Sequence, residues 1–77
     1  DNKPYMAVDV MGRVFASDPE GYRIMLWDET GELLESWGQY GRDSVSFDLP
    51  TGIALDDDGG LYVVDAGNDR IMYFDLN

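Results

Sequence analysis

The chain has 77 residues, 44% of them hydrophobic, and a formal net charge of −11 from 16 acidic and 5 basic residues. This length suits one small domain, and the hydrophobic content is too high for a disordered acidic tail. Because the sequence has no cysteine and no histidine, disulfides, thiolate metal sites and catalysis by Ser-His-Asp, Cys-His or zinc are excluded. The bases are scattered among acids, so nucleic acid and membranes are poor partners. Nothing in this composition indicates a compartment.

Short apolar runs separated by glycine-bearing turns predict four β-strands in the first part of the chain. In order, these are PYMAVDV (4–10), VFASD (14–18), RIMLWD (23–28) and ELLESWG (32–38). Glycine and aspartate adopt turn conformations at little cost, while β-branched and aromatic residues favour strands. The runs are too short for helices. The last strand is the most polar, which is typical of a strand near solvent.

After a linker at 39–49, three further runs predict three more strands. These are PTGIALD (50–56), LYVVD (61–65) and RIMYFD (70–75), separated by the turns DDGG and AGND. Several of these runs are almost continuously apolar, which predicts strands that are covered on both faces. We therefore predict an all-β, antiparallel fold with four strands followed by three.

The second group of strands repeats the first at a spacing of 47 residues. Eight identities fall within the 22 gapless positions 7–28, where average composition gives about 1–2. The identical pairs are Ala7/Ala54, Asp9/Asp56, Gly12/Gly59, Asp18/Asp65, Arg23/Arg70, Ile24/Ile71, Met25/Met72 and Asp28/Asp75. A period in the forties is typical of solenoids and β-propellers. The change from nearly continuous apolar inner strands to a more polar outer strand favours propeller blades, because each blade is sandwiched between two others.

Residues 49–75 resemble the NHL repeat, the blade unit of NHL-type β-propellers. The matching positions are Pro50, Gly52, Ile53, Ala54, Asp56, Gly59, Tyr62, Val63, Asp65, Asn68, Arg70, Ile71, Phe74 and Asp75. The SWGQYG stretch (36–41) is similar to the link between blades in that family. The resemblance implies a degenerate first blade over 1–41, with its outer strand and the start of the linker. Residues 42–77 then hold the rest of the linker and a second blade without an outer strand.

Two blades cannot cover their own sheet faces, which predicts self-association. Leaving about 500 Å² of apolar surface in water forgoes about 12 kcal/mol. Because NHL-type propellers typically have six blades, we expect three chains in a head-to-tail ring, forming one structural domain only after oligomerisation. A dimer, another ring size or a monomer are the alternatives. For the missing outer strand, either the parent chain continues, or the blade has three strands, or a partner's segment fills the gap. The chain starts at Asp1 rather than Met, so we expect a fragment, a processed form or an engineered unit.

Six residues are predicted to be structural turn residues. They are Asp18, Gly21, Arg23, Asp65, Asn68 and Arg70. Asn68 tolerates the left-handed conformation that a tight turn demands, and Gly21 meets the same need in the first unit. Each Asp is close enough to pair with its Arg across the hairpin, and an exposed pair of this kind contributes about 0–1 kcal/mol, or more if neighbouring blades shield it.

Few residues are candidates for binding, and none for catalysis. The DDDGG stretch makes Asp56, Asp57 and Asp58 candidate calcium ligands, although the later ligands of a calcium loop are missing and a hairpin turn explains the pattern. Tyr22, Tyr40 and Arg42 lie in predicted loops and are candidates for surface binding. We predict a non-enzymatic building block that needs no cofactor and whose partners are copies of itself.

Two other functions remain open. The first is a module that binds a protein or small ligand through its loops, as NHL-type propellers do. The second is a calcium-stabilised site resembling a lyase or lactonase. Enzymes with a similar propeller, such as the peptide-amidating lyases, rely on histidine ligands that this chain lacks.

Overall fold

The computed structural model describes residues 4–76 and places their strands in two antiparallel sheets. The strands are β1 (Met6–Val8), β2 (Val14–Asp18), β3 (Arg23–Trp27), β4 (Leu33–Trp37), β5 (Pro50–Leu55), β6 (Gly60–Asp65) and β7 (Arg70–Asp75). A 3₁₀ turn, Ala66–Asn68, joins the last two strands. Within residues 4–76 no helix is long and apolar enough to span a membrane. The all-β prediction, with four strands followed by three, is confirmed.

The first sheet is a meander in the order β1-β2-β3-β4. Two of its three turns follow from aspartates whose side chains accept backbone N–H groups two and four residues later. The Asp9 carboxylate accepts from Met11 and Arg13, and the Asp28 carboxylate accepts from Thr30 and Glu32. Such side-chain-to-backbone bonds stabilise a turn in place of a ladder bond.

The second sheet has the order β5-β6-β7. Its strands repeat the register of the first sheet, because Leu61 lies opposite Phe74 in β7 as Val14 lies opposite Trp27 in β3. The linker follows β4 and returns the chain to β5, next to the first sheet. Across the described part of the chain, no strand pairs with the outer side of β7.

The two sheets pack face to face, with β5 lying against β1 and β2. Alternating residues of each strand point into the interface, as the strand period of two requires. The buried core consists of Phe15, Ile24, Leu26, Phe47, Leu61 and Val63. One face of each sheet is in contact and the other face is free, as expected for two neighbouring propeller blades.

The linker contributes Phe47, a fully buried core residue. Its backbone N–H donates to the carbonyl of Gln39, and its carbonyl accepts from Gly41. Gly38 is required here because its φ is +113° and a Cβ at this position would overlap the Phe47 ring and the Tyr22 carbonyl. The linker is therefore an ordered segment that packs into the core, which the sequence patterns did not predict.

Candidate functional site

The turn after β6 is organised around Asp65, whose side chain is fully buried. One carboxylate oxygen accepts the backbone N–H of Asp48 at 2.7 Å. The other accepts Asn68 Nδ2 and Arg70 Nε, both at 2.9 Å. Three donors thus surround a charge that would be costly to bury alone.

Arg70 extends this network into the linker. Its Nη1 donates to the carbonyl of Arg42 at 2.6 Å, and its Nη2 donates to the carbonyls of Asp43 and Ser46 at 2.7 and 2.9 Å. Asn68 Nδ2 also donates to the carbonyl of Gly41 at 2.8 Å. Asp65 and Arg70 pair across the hairpin, and the linker, not a neighbouring blade, shields this pair. We name this group, Asp65, Asn68 and Arg70 with the linker carbonyls, the linker clamp.

The equivalent turn of the first unit is more exposed and simpler. Arg23 Nε donates to Asp18 at 2.9 Å, and the two side chains are 44% and 32% exposed. The N–H of Gly21 donates to the Asp18 carboxylate at 3.3 Å. Glycine is favoured here because a Cβ would overlap that carboxylate. Asp18 and Arg23 thus repeat the pair of the second unit without its clamp on a linker.

The left-handed residues of the two turns are Tyr22 (φ +57°) and Asp69 (φ +53°), which lie 47 positions apart. The prediction that Gly21 and Asn68 adopt this conformation is therefore wrong. In the second unit, Ala66–Asn68 form a right-handed 3₁₀ turn, and the chain reverses at the residue that follows. The amide of Asn68 serves instead as a bridge between Asp65 and Gly41.

The three candidates for surface binding lie near the linker clamp. The rings of Tyr22 and Tyr40 meet edge to face at 4.9 Å. Tyr40 is 66% exposed, Arg42 is exposed, and Tyr22 is half-buried. A recess of about 400 Å³ opens beside them, which we call the loop recess, lined by Tyr40, Gly41, Arg42, Asp48, Gly67, Asn68 and Asp69. Polar and aromatic groups converge there at one end of both sheets.

The acidic stretch forms the turn between β5 and β6. One Asp56 oxygen accepts the N–H of Asp58 at 3.0 Å and that of Gly60 at 2.7 Å. The bond from Gly60 is the main reason that the pKa of Asp56 is lowered. A hydrogen bond to Asp56 also raises the pKa of the Tyr73 hydroxyl to about 12. Asp57 and Asp58 are exposed, and residues 4–76 contain no group of three or more acidic side chains arranged to hold a metal.

The free face of the second sheet is apolar. It carries Ala54, Tyr62, Val64, Ile71 and Tyr73, all exposed, and we call it the outer face of the second sheet. The 47-residue repeat relates these residues to Ala7, Phe15, Ser17, Ile24 and Leu26, which form the packed face of the first sheet. Ile71 is 70% exposed, whereas its equivalent Ile24 is 0% exposed. The second sheet therefore presents in solvent the surface that the first sheet buries.

The NHL repeat model matches residues 47–72, from the buried Phe47 to the middle of β7. The chain contains an NHL repeat. It is 30% identical over 78 residues to the human NHL repeat-containing protein 3 and to its mouse counterpart, an alignment that covers 97% of this chain. The chain spans about a fifth of the length of these relatives, 22% in each case. The resemblance noted from the sequence is confirmed.

The other free surface belongs to the first sheet, which precedes the NHL repeat. On this outer face of the first sheet, Met6 and Val8 are exposed. Their equivalents in the NHL repeat, Ile53 and Leu55, are partly buried and pack against the core. Each outer face is thus the repeat-related counterpart of a face that is already packed in this structure.

We predict that calcium leaves the melting temperature unchanged. The Asp56 carboxylate is already bonded to backbone N–H groups and to the Tyr73 hydroxyl, and calcium requires six or more oxygen ligands. Melting should be followed by circular dichroism in about 5 mM Ca²⁺ and in EDTA, with Asp57→Asn as the control variant. A higher melting temperature in calcium that Asp57→Asn abolishes would instead place a site on this turn, shared between chains in an assembly.

Proposed function

We propose that the chain is a non-enzymatic β-propeller building block whose two blades associate head to tail with those of other copies. The observation that carries this proposal is the difference in exposure between Ile71 and Ile24, two isoleucines at equivalent positions of the repeat. Ile24 is fully buried between the two sheets, while Ile71 is largely exposed. This contrast supports the proposal, because a further blade would cover the surface that is packed in one unit and bare in the next.

The complementary surface is present on the same molecule. The outer face of the first sheet corresponds to the face of the NHL repeat that packs on Ile24. It can therefore pack on the Ile71 of another copy in the way that the two sheets pack within one chain. Such a contact joins two different surfaces and is heterologous, so repeating it gives either a closed ring or a fibre.

Ring closure at six blades from three chains is the arrangement that we propose. Propellers close with four to eight blades, so two blades per chain permit rings of two, three or four chains. The similarity to NHL-type propellers favours six blades. Closure leaves no outer face in water, whereas a fibre leaves one outer face exposed at each end. A dimer of this kind would have to close as a four-bladed ring, the smallest propeller.

The molar mass in solution tests the proposal. We expect light scattering to give three times the 8.7 kDa of the chain. Ile71→Asp places a charge in the proposed interface and should yield the mass of one chain, because an unpaired charge is costly to bury. Val10→Asp is the matched control, since Val10 is fully exposed in the β1–β2 turn, and it should keep the mass of the unsubstituted chain.

The result separates the alternatives. A folded chain that has the mass of one copy at tens of micromolar and binds no hydrophobic dye would contradict self-association. An assembly that Ile71→Asp leaves intact would contradict the proposed interface. Cooperative melting of both variants by circular dichroism is needed to show that each one is folded.

A protein- or ligand-binding loop end is the second candidate function. The loop recess beside Tyr40 and Arg42 supports it, since an exposed aromatic residue and an exposed base next to a recess of about 400 Å³ are typical of binding surfaces. This surface lies at the ends of the strands and not on the outer faces. A ring would therefore leave it accessible, and the two candidate functions are compatible.

A further inference from the structure

Two hairpin turns of the same geometry lie side by side at the end of the molecule away from the linker. In the β1–β2 turn, the Asp9 carboxylate accepts backbone N–H groups two and four residues later. In the β5–β6 turn, the Asp56 carboxylate accepts the equivalent two. The glycines of the two turns, Gly12 and Gly59, share a φ of +82°. We call this end of the molecule the hairpin end, and the opposite one the linker end.

The tips of these two turns differ in chemistry. Val10 and Met11 occupy the positions that Asp57 and Asp58 occupy in the second turn. Val10 is fully exposed and Met11 is 70% exposed. Because the same turn forms with two aspartates, its geometry does not require apolar side chains at these positions. Adjacent apolar side chains that remain in water are typical of a contact surface, and methionine is enriched at such surfaces.

A groove of about 380 Å³ separates the two turns, and we call it the hairpin groove. Its apolar lining consists of Val8, Val10, Met11, Phe15, Leu55 and Leu76. The exposed tip of the first turn therefore continues into an apolar recess. A volume of this size lies within the range of small binding pockets, so the groove accommodates individual apolar side chains of a partner.

The polar rim of the hairpin groove is negative. Of the residues that the structure describes there, Asp9, Asp56 and Asp57 are acidic and Arg13 is basic. Arg13 Nε lies 2.6 Å from the Asp9 carboxylate, so this base is paired within its own turn. Asp57 is exposed at the tip of the other turn. Three carboxylates and one guanidinium thus give the rim a net charge of −2.

The charges of the whole chain are distributed in the same direction. Eight acidic residues and one basic residue lie at the hairpin end, in 9–13, 28–32, 56–59 and Asp75. Six acidic and three basic residues lie at the linker end, in 18–23, 39–49 and 65–70. The net charges of the two ends are therefore −7 and −3. The negative potential is strongest around the hairpin groove, where it attracts cationic groups.

We propose that the hairpin groove binds a segment of another protein in which apolar residues are flanked by lysine or arginine. The apolar side chains enter the groove against Met11 and Leu55, and the flanking bases lie over the carboxylates of the rim. Charge complementarity selects this partner, because an acidic segment is repelled and a basic segment without apolar residues leaves Val10 and Met11 in water. The surface includes neither the loop recess nor Ile71, so the proposal is separate from both functions proposed above.

Synthetic peptides test the proposal on the full 77-residue chain. A fluorescein-labelled peptide of sequence KKLLKK should bind saturably, with one peptide per chain, measured by anisotropy. The peptide KKSSKK has the same charge and should bind about tenfold more weakly or worse, because it buries no apolar side chain. The peptide EELLEE should show no saturable binding. The affinity for KKLLKK should fall as salt is raised, because salt screens the charges of the rim.

Two charge variants form a matched pair. Asp57→Asn removes a carboxylate from the rim and should weaken binding of KKLLKK by about two- to fivefold. Asp69→Asn changes the net charge equally but lies at the linker end, where Asp69 is exposed with a φ of +53° that asparagine tolerates. It should leave the affinity unchanged. Equal losses in the two variants would show attraction to net charge alone and would overturn the proposal.

Two apolar variants locate the peptide. Met11→Ser should weaken binding by about tenfold, whereas Tyr40→Ser, at the loop recess, should have no effect. A loss in Tyr40→Ser but not in Met11→Ser would place the peptide in the loop recess and overturn the proposal, as would the absence of saturable binding. All four substituted residues are exposed, and circular dichroism checks that each variant is folded. Ile71→Asp should bind KKLLKK like the unsubstituted chain, which scores peptide binding separately from ring formation.

Discussion

Replacing Phe47 with alanine is expected to lower the free energy of unfolding by about 3–5 kcal/mol. The side chain is fully buried and packs against Phe74, with the ring centroids 5.8 Å apart. Removing it leaves a cavity that the surroundings cannot fill, because the linker backbone is fixed by the bonds between Phe47, Gln39 and Gly41. Urea unfolding followed by circular dichroism measures the loss.

A loss of that size is comparable to the whole stability of a chain this small, about 5–15 kcal/mol, so Phe47→Ala could unfold outright. Phe47→Leu retains most of the volume and should fold with a smaller loss. Tyr40→Ala is the control from the same linker, because Tyr40 is exposed, and it should cost less than about 1 kcal/mol. Equal effects at positions 40 and 47 would show that the linker does not anchor the core.

The strands could be predicted from the sequence because strand formation leaves a local pattern. Apolar runs bounded by glycine and aspartate marked all seven strands, and the 47-residue repeat indicated which positions are equivalent. Side chains alternate between the two faces along a strand, so Ile71 lies on the face opposite Met72. This alternation, together with the repeat, made the free faces predictable. These signals need no knowledge of how distant segments meet.

Phe47 and the linker clamp could not be predicted in the same way. The linker has no period, so the burial of Phe47 depends on a loop path that only tertiary contacts define. Arg70 donates to backbone carbonyls of the linker. Because every residue has a backbone carbonyl, these hydrogen bonds leave no pattern in the sequence. The left-handed residue of the second unit is Asp69 and not Asn68, because Ala66–Asn68 form a 3₁₀ turn before the chain reverses.

The two Asp–Arg pairs should respond very differently to the same substitution. We expect Asp65→Ala to lower the free energy of unfolding by about 3 kcal/mol, because it removes the acceptor of the Asp48 N–H and of Arg70 Nε. Asp18→Ala should cost about 0–1 kcal/mol, since Asp18 and Arg23 form an exposed pair. Urea unfolding of both variants in the same buffer measures the difference.

Salt distinguishes the physical causes of the two losses. Screening weakens the pair of Asp18 and Arg23, so the small effect of Asp18→Ala should vanish in about 1 M salt, where the Debye length is about 3 Å. Asp65 is shielded from ions by burial, and its effect should persist. If both effects disappeared with salt, the clamp would be an ordinary surface ion pair. If both persisted with equal size, the linker carbonyls held by Arg70 would add nothing, and the second turn would be no more than a copy of the first.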